Sequence, residues 1–218
     1  MLYVIATPIG DVSEISQRAL EILKTCDLVI CESTKETSKL LRAHGISGKT
    51  YEVLDEHSKP DDKEALAKMC VDKTVALVSD CGTPGFCDPG ADVVRLCRQK
   101  GIQVKSVLGA SALMGLLSLS GQRLDEFVFR GFLPAENESR ARALKELTKE
   151  KRAIIIMDTP YRLKKTLGDM KDHFANRKFL LTLNLSQEDE KVIEGSIDKI
   201  ISGNTFDKAE FMLLIYPA

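Results

Sequence analysis

The sequence predicts an α/β protein of two domains. Short apolar runs rich in valine and isoleucine alternate with segments of helical period, the pattern of α/β units on a mainly parallel sheet. That alternation breaks once, in the polar glycine-containing stretch Ser118–Glu126, and then restarts. With 218 residues, 44% of them apolar, the chain is long enough to fill a core in each of two domains of about 100 residues.

The elements follow in order. A strand at 2–6 leads to a helix at about 14–25, where Ile15, Ala19, Ile22 and Leu23 recur at three- and four-residue steps on one face. A strand at 28–31 precedes a helix at 35–43 that ends at Gly45, a residue free to take the left-handed conformation of a helix stop. Strand 51–54, helix 61–71, strand 75–79, helix 91–100 and strand 103–107 complete the first domain, placed at 1–117. Residues 118–126 read as a hinge. In the second domain, 127–218, strands near 127–132, 153–158, 178–184, 191–194 and 210–216 enclose helices near 139–150, 160–174 and 196–202. The polar turn Ser186–Glu190 predicts an antiparallel pair on either side of it, so the second sheet is expected to be mixed.

Composition excludes several classes. The longest apolar runs, Ala153–Met157 and Phe211–Tyr216, fall far short of the ~20 residues that span a bilayer. The N-terminus opens directly on an apolar strand without a basic leader, so a cytoplasmic protein is expected. Thirty-one basic residues against 32 acidic ones give no broad attraction to nucleic acid, and any such contact must be local. Cysteines at 26, 31, 70, 81, 87 and 97 match no zinc-ligand spacing, and free thiols with no metal are expected.

Three strand-to-helix loops are candidates for chemistry. Ser79–Gly90 carries three glycines and two prolines between Asp80 and Gly90, a stiff irregular loop at the strand end where open α/β sheets bind ligands. Leu108–Ala112 offers backbone N–H groups and the Ser111 hydroxyl at the start of another helix. Ala6–Asp11 lacks the G-x-G-x-x-G of a dinucleotide site, and no phosphate-binding G-x-x-x-x-G-K-[ST] is present.

These loops, with several further motifs, resemble the tetrapyrrole methylase superfamily, and within it the ribosomal RNA small subunit methyltransferase I family. The resemblance runs from Leu2 to about Gly195. It rests on Leu2–Asp11 followed by Ile15–Leu20, with Glu14 where the family usually has aspartate; on Glu32, Thr34, Thr37 and Leu40–Leu41; on Ser79–Asp80, Gly82–Gly85 and Asp88–Gly90; and on Phe127, Gly131–Pro134, Arg140, Pro160 and Arg162. It implies two α/β domains with S-adenosylmethionine in the cleft between them, a homodimer, and methylation of a ribose 2′-hydroxyl in 16S rRNA. Carried over by position, the cofactor would touch Pro8, Asp80, Gly82, Thr83 and Pro84, then Ser111 and Ala112, and Leu133, Met157 and Pro160 from the second domain. Methyl transfer from a sulfonium is an in-line displacement, and a weakly acidic hydroxyl benefits from a base or a nearby cation. The resemblance makes Glu32, Arg18, Lys35 and Arg162 the catalytic candidates, with Glu32 foremost.

Some motifs depart from the family. Glu-Asp-Thr-Arg appears as Glu32–Lys35, exchanging a forked guanidinium for a point charge. Pro-Gly-Pro-Ser-Ala appears as Leu108–Ala112, Glu-Ser-Pro-His-Arg as Asp158–Arg162, and Glu-Leu-Thr-Lys as Asn184–Gln187. Many members carry a further C-terminal domain, which is not expected after the strand Phe211–Tyr216. Cations at Arg140, Arg142, Lys145, Lys149, Lys151, Arg152, Arg162, Lys164 and Lys165 are read as either solvated helix faces or an RNA-facing surface. Two other functions stay open: a tetrapyrrole C-methylase, disfavoured by Thr7–Gly10 in place of a G-x-G-P-G loop, and a cofactor-binding paralogue weakened in catalysis.

Overall fold

The computed structural model describes residues 1–218, which divide into two compact units, Met1–Ser111 and Ala112–Ala218. In the first unit, strands β1 (Leu2–Ile5), β2 (Leu28–Cys31), β3 (Tyr51–Val53), β4 (Val75–Leu77) and β5 (Val104–Val107) form one parallel sheet in the order β3-β2-β4-β1-β5. Helices α1 (Gln17–Thr25), α2 (Thr34–Ala43), α3 (Pro60–Met69) and α4 (Gly90–Gln99) connect them. Alternate side chains of one strand enter different cores. Val29 and Cys31 pack with Ala19, Leu23 and Leu41 of α1 and α2, whereas Leu28 and Ile30 pack with Leu66, Ala67 and Val93 of α3 and α4. Burial on both faces is why these strands read as unbroken apolar runs.

The first helix begins later than its apolar period indicated. Asp11 caps a single 3-10 turn at Val12–Glu14, and Ser16 accepts a hydrogen bond from the Ala19 N–H at 3.2 Å to start α1. Because a parallel sheet aligns its carboxyl ends and β4 lies between β1 and β2, the loops leaving β1, β2 and β4 emerge side by side, with that of β5 beyond β1.

The second unit opens with α5 (Ala112–Leu119) and carries β6 (Phe127–Gly131), α6 (Asn137–Leu147), β7 (Ala153–Asp158), α7 (Leu163–Phe174), β8 (Phe179–Leu183), β9 (Lys191–Gly195), α8 (Ile197–Gly203) and β10 (Phe211–Ile215). Its sheet runs β6-β7-β10-β8-β9, with β6 and β7 parallel and every other pair antiparallel, mixed as expected. One face packs against α6, α7 and α8 through Leu144, Leu167, Met170 and Ile200; the other is covered by α5 through Leu116.

That second contact moves the boundary. Leu116 is fully buried among Ile155, Leu180, Met212 and Leu214, and the Tyr216 hydroxyl donates to the Ser120 carbonyl at 2.6 Å. The stretch 118–126 is therefore tied into the second unit, and the division falls at Ser111/Ala112, ahead of the expected hinge.

Candidate active site at the carboxyl edge of the first sheet

The loop after β4 is organised around one carbonyl. The Gly82 oxygen accepts from Thr7 N at 2.8 Å, from Thr7 Oγ1 at 3.3 Å and from Ser79 Oγ at 3.2 Å. Thr7 Oγ1 also lies 3.0 Å from the Ser79 carbonyl, so a single buried threonine after β1 holds both ends of the turn 79–82. Further along, Asp88 accepts from Gly85 N through both carboxylate oxygens, at 2.9 and 2.8 Å, and from Gly90 N at 2.8 Å. Asp88 thus closes the loop and starts α4. Thr83 Oγ1 donates to the Ala110 carbonyl at 3.1 Å, joining this loop to the one after β5. Gly82 has φ +82°, and a Cβ there would sit 3.3 Å from Ile9 Cγ2, so both conformation and space favour glycine.

Glu32, directly after β2, and Asp80, after β4, clasp their loops reciprocally. Glu32 Oε1 accepts from Asp80 N at 3.2 Å, and Asp80 Oδ1 accepts from Ser33 N at 3.1 Å. Each carboxylate keeps its second oxygen free of these bonds. Burial raises the Glu32 carboxyl above its ordinary value; the Asp80 N–H opposes this, and the charges of Asp80, Asp88 and Glu56 raise it further. Asp80 is also raised by burial, against the Ser33 N–H and with the charge of Glu36. Two carboxyls that hold protons more strongly than usual thus stand together at the strand ends of an α/β sheet, the edge where such folds bind ligands.

Arg18 and Lys35 are exposed, each the second residue of its helix, α1 and α2. A cation in a first helical turn opposes the macrodipole at a cost of about 0.3–1 kcal/mol, so neither is there to stabilise its helix. Pro8, Gly82 and Pro84 are buried, whereas Asp80 and Thr83 are open at the rim. Ser111 is the last residue of the first unit.

The remaining candidates belong to the second unit, with Ala112 opening α5. The Leu133 side chain is committed to the core, at 2% exposure, while Met157 and Pro160 are half-buried. Arg162 Nη1 donates to Asp158 Oδ1 at 3.2 Å and to the Leu133 carbonyl at 3.3 Å. Arg140 lies inside the unit, 1% exposed, and does not face RNA. It donates to Asp158 Oδ2 at 3.1 Å, to Asp169 Oδ2 at 2.6 Å and to Thr166 Oγ1 at 2.8 Å. Its guanidinium is consumed by two carboxylates, of which Asp158 has a fully buried side chain. Sequence reasoning passed over Thr7 and Asp158 as organisers, because neither residue type announces such a role without its partners.

A family model for tetrapyrrole (corrin/porphyrin) methylases matches residues 1–201. A ribosomal RNA small subunit methyltransferase I of Neisseria meningitidis serogroup B is 35% identical over 221 residues, covering 100% of this chain and 76% of that protein. The Synechocystis protein of the same name is 37% identical over 99% of this chain and 78% of its own length. That of Leptospira biflexa is 35% identical over 99% and 90%. Among solved structures, a diphthine synthase superposes with a TM-score of 0.73 at 15% identity, covering 99% of this chain and 90% of that one. A uroporphyrin-III C-methyl transferase from Thermus thermophilus, complexed with S-adenyl homocysteine, gives 0.66 at 14% identity, over 99% and 96%. The distant structures share the fold, and the sequence relatives match essentially the whole chain. The chain belongs to the tetrapyrrole (corrin/porphyrin) methylase family, within the group of the ribosomal RNA small subunit methyltransferase I proteins.

Proposed function

We propose that this S-adenosylmethionine-dependent methyltransferase acts on a ribose 2′-hydroxyl of small-subunit ribosomal RNA. The observation that carries the substrate class is the likeness, at 34–37% identity across essentially the whole chain, to proteins named for that RNA. The residues present suit the cofactor. The free carboxylate oxygen of Asp80 complements a sulfonium or amino group, and main-chain groups with apolar walls at Pro8 and Pro84 can hold a nucleoside without a phosphate cradle. In this reading Gly82, Thr83, Ser111 and Ala112 contribute cofactor contacts, as do Leu133, Met157 and Pro160.

S-adenosylmethionine, when bound, supplies an electrophilic methyl group with a good leaving group. Glu32 serves as the base that takes the proton of the hydroxyl; its raised carboxyl makes it a stronger proton acceptor than an ordinary glutamate. Arg18, Lys35 and Arg162 supply positive charge for the developing alkoxide. The enzyme is proposed to work in the cytoplasm as a homodimer, on the small ribosomal subunit or its RNA.

The test is transfer of labelled methyl from S-adenosylmethionine to 30S subunits prepared from cells lacking the gene. Mapping should place the label on one ribose. Labelled uroporphyrinogen instead would establish a C-methylase, and tight cofactor binding without transfer would establish a paralogue that has lost catalysis.

A further inference from the structure

We infer that Tyr161 stacks on an unpaired base of the acceptor RNA, an inference that rests on the RNA-methylating function proposed above. Tyr161 is 79% exposed, the most open aromatic of the chain beside Phe86 at 49% and Phe132 at 39%. A ring that open adds little to the hydrophobic core. It lies in the 3-10 turn Pro160–Arg162, directly beyond the end of β7. Because β10 pairs antiparallel with β7, Phe211 opposite Asp158, the segment entering β10 emerges at the same sheet edge.

That register brings Lys208 Nζ over the Tyr161 ring, 5.0 Å from its centroid. On the same rim Lys164 pairs with the exposed Asp207 at 2.6 Å, Lys165 donates to the Asn137 amide oxygen at 2.7 Å, and Arg162 is held by the buried Asp158. Lys208 thus covers one face of the ring, Arg162, Lys164 and Lys165 follow within four residues of it along the chain, and the exposed carboxylates beside them are Asp207, Glu136 and Glu210. Single-stranded RNA is recognised by this combination: an aromatic face for a splayed-out base, with lysines and arginines for the flanking phosphates. The chain is nearly neutral overall, so the local cluster has to supply the attraction.

Tyr161→Ala and Tyr161→Phe would be compared with the wild type in two measurements: anisotropy of a mixed-sequence single-stranded RNA of about twelve nucleotides, and initial rates of methyl transfer to 30S subunits. Tyr161→Ala should bind RNA roughly ten-fold more weakly and raise KM for subunits correspondingly, with Tyr161→Phe within about two-fold of wild type and KM for S-adenosylmethionine unchanged. Equal RNA binding by Tyr161→Ala and wild type overturns the inference, as does a parallel rise in KM for S-adenosylmethionine, which makes Tyr161 a cofactor contact. A wild-type protein that methylates subunits while Tyr161→Ala does so equally well removes only the stacking role. A wild-type protein that neither binds RNA nor methylates subunits removes the function beneath it as well.

Discussion

Glu32 accepts the Asp80 N–H while Asp80 accepts the N–H of the residue after Glu32, so the two carboxylates lock the loops of adjacent strands together. Each fixes the position of the other, and both are held above their ordinary protonation range, first by burial.

The electrostatics predict that Glu32 is retained at a cost in stability. A carboxyl raised in the folded state favours folding when protonated. That contribution is complete below the unfolded-chain carboxylate range and is lost as pH rises through the raised folded values. Glu32→Gln keeps an oxygen for the Asp80 N–H and removes the repulsion from Asp80, Asp88 and Glu56. At pH 7.5 the variant should melt about 2 °C higher than wild type, and the gap should close towards pH 4. Methyl transfer should fall by roughly 100-fold, the usual contribution of a positioned base. Calorimetric scans at the two pH values check the first statement, and a lower melting temperature at pH 7.5 contradicts it.

Asp80 makes a prediction about cofactor affinity. Asp80→Ala removes both the carboxylate and the acceptor for Ser33 N–H, whereas Asp80→Asn keeps an acceptor and loses only the charge. Titration calorimetry with S-adenosylmethionine should show Asp80→Ala binding at least about ten-fold more weakly, with Asp80→Asn between it and wild type. S-adenosylhomocysteine, which lacks the sulfonium charge, should discriminate less between wild type and Asp80→Asn. Equal losses for both ligands would assign Asp80 to the amino group they share.

Much of this architecture is legible in the sequence because burial on both faces turns strands such as Leu28–Cys31 and Ala153–Asp158 into conspicuous apolar runs. What is not legible depends on partners far along the chain. Glu32 and Asp80 stand 48 residues apart, and only the strand order β2-β4 makes their loops neighbours. Ser118–Glu126 resembles a hinge by composition, yet Ser120 is bonded by a tyrosine 96 residues away. Arg140 carries the same ambiguity: a charged residue on a helix reads as solvated until its carboxylate partners are known.

Those partners make Arg140 a stability prediction. Removing it leaves Asp158 buried with only Arg162, which is partly open to solvent, as a cationic partner. Breaking a buried pair from one side costs about 3–5 kcal/mol, so Arg140→Ala should unfold at markedly lower denaturant concentration. Arg140→Lys should recover only part of the loss, since one ammonium cannot reproduce the forked contacts to Asp158, Asp169 and Thr166. Denaturant titrations of the two variants measure both effects; an Arg140→Ala variant within about 0.5 kcal/mol of wild type, the ordinary range of surface changes, would show that the network is not structural.

Thr7 separates loop order from cofactor chemistry. It lies outside the expected cofactor contacts, but its hydroxyl is within hydrogen-bonding distance of the Ser79 and Gly82 carbonyls at the base of the Asp80 turn. Thr7→Val preserves shape, removes the donor and leaves buried carbonyls short of a partner, at about 1–2 kcal/mol. Because Thr7 N still donates to Gly82 O, the turn should persist but loosen. Amide exchange across residues 79–85 should therefore accelerate, and S-adenosylmethionine affinity should fall by a few-fold, about 3- to 10-fold, with kcat changed less than KM. If exchange accelerates while KM for the cofactor stays at its wild-type value, the turn held by Thr7 is a fold element and the cofactor contacts lie elsewhere on the rim.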